Sequence, residues 1–64
     1  MPIVNIQILE GRSEEKIKEV ISNVTGVMCT TLNISKETVR VVITETPKTH
    51  WGIGGVSVSD YANR

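Results

Sequence analysis

The apolar residues change period twice along this chain, and few folds tolerate that arrangement. From Ile3 to Leu9 they alternate, with Val4, Ile6 and Ile8 on one face and Ile3, Asn5, Gln7 and Leu9 on the other. Period two is the signature of a strand, here with one core face and one mixed face. From Ile17 the spacing becomes helical, and Val20, Ile21, Val24, Val27, Met28 and Leu32 continue one stripe. Lys16, Lys18, Glu19 and Asn23 fall on the opposite, solvated side. Alternation returns from Val39 to Thr44, where Val39, Val41 and Ile43 face the helix and Arg40, Val42 and Thr44 point away. A strand, a helix and a strand at this spacing predict a βαβ unit with parallel strands and a right-handed crossover.

Local signals agree with that division. Glu10-Gly11-Arg12 breaks the first strand, and Ser13 is a helix N-cap with Glu14 and Glu15 in the first turn. Gly26 interrupts the helix at a cost of roughly 1 kcal/mol relative to Ala, either to admit a close neighbour or merely tolerated. Asn33 suits a left-handed C-terminal position, and Pro47 ends the second strand. The tail from Thr49 to Val58 is glycine-rich with short alternation, which predicts a loop leading into a small hairpin or edge strand. The class is α+β: one domain over residues 1–64, with two parallel strands, one long helix and a short C-terminal hairpin.

Such a unit is small for a core of its own. A chain of 64 residues buries only about 60% of its unfolded surface. Chains of this size usually add disulfides, a metal or self-association. Cys29 is the only cysteine and no Cys/His cluster suits zinc, so no metal site is expected and oligomerisation is the expected stabiliser. Seven basic residues balance seven acidic ones, which argues against non-specific binding to nucleic acid or an anionic membrane. No apolar run approaches the ~20 residues of a membrane span, and no signal peptide is evident. The expected location is the cytoplasm.

Four residues carry possible chemistry. Pro2 follows an initiator methionine of the kind usually removed, and removal of Met1 would leave a secondary amine. Taken alone, Pro2 either opens a strand or serves as a general base, provided that burial or nearby cations favour its neutral form. Arg12, at the mouth of the helix, is either a solvated loop residue or part of a carboxylate site with the helix amides. Arg40 lies within a strand without an evident partner in the chain, and two arginines suggest a dianionic ligand. Trp51, the sole tryptophan, is either an ordinary packing aromatic or a wall that keeps water from an amine. His50 lacks a triad partner, and Cys29 lacks an activating neighbour.

In this company the chain resembles the 4-oxalocrotonate tautomerase family over essentially its whole length. The carrying segments are Pro2-Ile3, Ile8 to Ser13, Val39 to Glu45 and Trp51 to Gly55. The resemblance implies a cofactor-free isomerase with Pro2 as general base, moving a proton within a 2-hydroxymuconate-type dienol acid. It implies that Arg12 binds the distal carboxylate and that Arg40, from a neighbouring subunit, holds the 2-oxo end and stabilises enolate charge. The main chain at Leu9 and the side chain of Ile53 become pocket wall, and Trp51 replaces a phenylalanine common in the family. Dehalogenase relatives carry a water-activating glutamate at the position of Ile53, so hydration chemistry is disfavoured here. The implied assembly is a homohexamer built as a trimer of dimers, with a place in aromatic-compound catabolism. Two alternatives stay open: a different keto–enol acid substrate, or a non-catalytic oligomeric binding module if Met1 is retained.

Overall fold

The computed structural model describes residues 1–61. Strand β1 spans Ile3–Leu9, helix α1 Glu14–Leu32 and strand β2 Arg40–Thr46. A short hairpin follows, β3 at Gly52–Ile53 and β4 at Val56–Ser57, and then a single helical turn, α2, at Val58–Tyr61. Strands β1 and β2 are parallel and run in register from Ile3 opposite Arg40 to Leu9 opposite Thr46. The ladder is closed at its two ends by the Arg40 amide donating to the Pro2 carbonyl and the Glu10 amide donating to the Thr46 carbonyl, each at 3.0 Å.

The caps of α1 form as the sequence predicts. The Ser13 Oγ accepts the Lys16 amide at 3.2 Å, and Glu14 and Glu15 occupy the first turn, where negative charge meets the helix dipole favourably. At the other end Asn33 adopts the left-handed conformation, φ 57°, and both its amide and that of Ile34 donate to the Cys29 carbonyl. The hairpin turns through Gly54 and Gly55 at φ 59° and 87°. Two successive positive φ values are the geometry that a two-residue hairpin loop needs, and glycine adopts them without strain.

The sheet has the predicted two faces. Val4, Ile6, Ile8, Val41 and Ile43 are half-buried on the helix side. Ile3, Asn5, Gln7, Arg40, Val42 and Thr44 are exposed on the other. Two details differ from expectation. Val39 stands outside β2, at the end of a 3-10 turn over Lys36–Thr38, and at 8% exposure it is the one buried hydrophobic residue among those described. The helical stripe is also covered only along its middle. Ile17, Val20, Val24 and Met28 are half-buried, but Val27 and Leu32 are 64% and 51% exposed and Ile21 is exposed as well. The cause is width. Two strands lie only about 5 Å apart, and a helix with its side chains is about 10 Å across, so the sheet cannot shield the stripe's edges.

Candidate active site

The parallel pairing puts Pro2 and Arg40 at one end of the sheet. Pro2 is half-buried immediately before β1, and its carbonyl holds the Arg40 amide. The Arg40 side chain leaves from the exposed face and turns back on its own chain. Its Nη1 donates to the Glu37 carbonyl at 2.6 Å and to the Val39 carbonyl at 3.4 Å. The carbonyls of the 3-10 turn thus hold one edge of the guanidinium, and its other nitrogens have no protein partner among the described residues.

Leu9, Arg12 and Trp51 lie toward the opposite end of the sheet. Leu9 closes β1, Gly11 turns the chain at φ 120°, and Arg12 reaches back to donate from Nη1 to the Leu9 carbonyl at 3.0 Å. Trp51 is half-buried after the 3-10 turn at Lys48–His50, and its carbonyl accepts the Val58 amide at 2.8 Å. Ile53 follows in the hairpin, 44% exposed. A seven-residue strand separates these groups from Pro2, about 20 Å at the usual rise per residue. Within one chain it is Arg40, not Arg12, that stands beside Pro2. A centre joining Pro2 to Arg12 and Trp51 therefore needs two chains.

The Trp51 end also holds a depression of about 220 Å³ lined by Gln7, Thr46, His50, Trp51 and Gly52. Sequence reasoning set His50 aside and gave Gln7 and Thr46 no role. Strand parity was the available signal, since Gln7 shares a face with Leu9, Thr46 is Leu9's partner across the ladder, and His50 adjoins Trp51. A larger groove of about 520 Å³ runs over the outer side of α1 between Ser22 and Thr31. It contains no titratable side chain. Among the described residues no group of His, Cys, Asp and Glu is placed to hold a metal, and no helix is long and apolar enough to cross a membrane.

Comparison with known proteins bears on this arrangement. The family model described as tautomerase enzyme matches residues 2–61. A probable tautomerase of Staphylococcus epidermidis is 45% identical over 60 residues, covering 94% of this chain and 98% of the relative. Among solved structures, a 4-oxalocrotonate tautomerase isozyme from Methylibium petroleiphilum is 46% identical with a TM-score of 0.86, over 91% of this chain and 94% of that one. TomN, a 4-oxalocrotonate tautomerase homologue of the tomaymycin biosynthetic pathway, superposes with a TM-score of 0.94 at 33% identity, over 98% and 97% of the two chains. A chain of a heterohexameric 4-oxalocrotonate tautomerase from Chloroflexus aurantiacus gives a TM-score of 0.88 at 33% identity, over 94% and 97%.

Proposed function

The chain belongs to the tautomerase family of isomerases, and from that premise we propose that it is a cofactor-free tautomerase of 2-hydroxymuconate-type dienol acids. Pro2, freed by removal of Met1, is the general base. With Met1 attached its nitrogen is an amide and has no basicity. The freed amine takes the proton of the enol hydroxyl and returns it to a carbon further along the conjugated chain, giving the 2-keto acid with no net change in composition.

The observation that carries the reading is the separation within the chain. Pro2 lies about 20 Å from Arg12 and Trp51 along β1, so the base of one copy meets the anion site of another. Arg12, steadied by the Leu9 carbonyl, holds the distal carboxylate. The chain's own Arg40 adjoins Pro2 only through its main chain and turns its guanidinium to the Glu37 and Val39 carbonyls. The Arg40 that holds the 2-oxo end and stabilises the developing enolate is therefore a neighbouring subunit's. Trp51 and Ile53 exclude water, which favours the neutral amine. A hexamer of three dimers in the cytoplasm, serving aromatic-compound catabolism, completes the reading.

The test is an ultraviolet assay of dienol consumption, run beside an intact mass that establishes loss of Met1. Pro2→Ala should lower kcat/KM by about two orders of magnitude, the usual weight of a positioned base. Equal rates in the two proteins would remove Pro2 from the mechanism. TomN, a relative from a biosynthetic pathway, favours a second reading in which the natural substrate is a different keto–enol acid. A substrate panel in which a monoacid is preferred by orders of magnitude would select it.

A further inference from the structure

We propose that Gln7, Thr46 and His50 are specificity-determining residues that hold the far, oxygen-bearing end of a flat unsaturated acid against Trp51. This deepens the reading above and rests on it, since the near end of the same substrate must meet the Pro2 of another copy.

The three residues line one depression of about 220 Å³ together with Trp51. None of their side chains has a hydrogen-bond or ion-pair partner among the described residues, and no carboxylate lines the space. The place is set by the fold. Gln7 and Thr46 project from the exposed face of β1 and β2 at their C-terminal end, and the 3-10 turn at Lys48–His50 carries His50 and Trp51 to the same end. The chemistry on offer is thus an aromatic wall with an amide, a hydroxyl and an imidazole N–H, all able to donate and all unused by the protein. Such a wall suits a planar conjugated chain lying along the ring, with a carbonyl or carboxylate oxygen accepting from the polar groups. Arg12 does not line this space, and its Nη1 is held by the Leu9 carbonyl while the rest of its guanidinium stays open to a ligand. The amide, hydroxyl and imidazole donors therefore add selectivity to the charge that Arg12 supplies.

Trp51 is the only tryptophan, so its fluorescence reads the depression directly and without turnover. Muconate and sorbate serve as probes, both planar six-carbon dienes, the first with a second carboxylate where the second has a methyl group. The oligomeric protein should bind muconate at least about tenfold more tightly than sorbate. Gln7→Leu with His50→Phe should weaken muconate by about tenfold, the effect of losing one hydrogen bond to an ionised group, and leave sorbate unchanged. His50→Asn should restore part of the difference. Retained sorbate binding shows that the variants fold with the ring in place. An equal loss for both probes, or no loss for muconate, overturns the proposal. Either result is separate from the Pro2→Ala assay, whose failure would remove the base and not the subsite.

Discussion

Arg12 is exposed and held by one hydrogen bond, from Nη1 to the Leu9 carbonyl, which leaves the rest of its fork free for a ligand. Its replacement should therefore alter binding rather than folding. Arg12→Ala is expected to raise KM for a dicarboxylate dienol by about 10- to 100-fold, the range of a hydrogen bond between charged groups, while stability moves by less than about 0.5 kcal/mol. Arg12→Lys should recover only part of the loss, because an ammonium is a point charge and cannot grip a carboxylate with two parallel bonds. Steady-state kinetics with a urea titration separates the two effects. If Pro2 is the base as proposed, its amine fixes the sign of the pH dependence. The base is active only when neutral, so kcat/KM should rise with pH through the amine's titration and then level off. Acetylating the freed amine should abolish both the rise and the activity, as a pH–rate profile of the two preparations would show. Pro2, Arg12, Arg40 and Trp51 stand out as candidates in the sequence because proline after methionine, arginines without an evident partner and a lone tryptophan are conspicuous by type. Gln7, Thr46 and His50 do not. Gln7 and Thr46 come onto one face only through the register of β1 against β2, and the 3-10 turn at Lys48–His50 brings His50 to the same depression.

Helix α1 shows which local signals translate directly into structure. Ser13 and Asn33 were visible as caps because their side-chain and backbone chemistry acts within a few residues of itself, and both cap as expected. Ser13→Ala should accordingly cost about 1 kcal/mol of stability. The stripe is covered by its own sheet only along its middle, since periodicity reports which residues share a face and not how much of that face a partner covers. The partner here is a two-stranded sheet. Gly26 turns that point into a measurement. A Cβ built there meets nothing within 4 Å, and the outer groove of the helix lies open around it. Gly26→Ala should therefore raise stability by about 0.5–1 kcal/mol through helix propensity alone, seen as a higher urea midpoint at unchanged slope. A lower midpoint would mean that another copy lies close against this groove. The polar run Ser35-Lys36-Glu37 marks a turn before β2, but not its 3-10 form. That form depends on the amides of Thr38 and Val39 finding the carbonyls of Ser35 and Lys36, a pattern that a polar run of this kind does not announce.

The single chain exposes more surface than a compact monomer of its mass, which supports the proposal of a site shared between copies. Its accessible surface is 4943 Å², against about 4,000 Å² for a folded monomer of its mass. Its radius of gyration is 15.1 Å, against about 11 Å for a compact chain of this length. The excess surface, roughly 900 Å², is close to one partner's share of an ordinary protein interface. It includes Ile3 at 63% and Val42 at 49% exposure, on the sheet face that carries Arg40. Val42→Asp should then disperse the assembly, detected by sedimentation, and lower stability at any given protein concentration. Chain mixing tests the divided site itself. Pro2→Ala and Arg12→Ala protein, each nearly inactive alone at substrate well below KM, are unfolded together in equal amounts, refolded and assayed at that concentration. If Pro2 and Arg12 of one site come from different chains, some mixed sites receive an intact Pro2 from one variant and an intact Arg12 from the other. Random assembly gives that combination in roughly a quarter of sites, so activity should return to about a quarter of the wild-type value. If both residues of a site came from the same chain, every site would carry one lesion and mixing would restore nothing. The 20 Å between the two ends of β1 thus becomes a rate that either appears on mixing or does not.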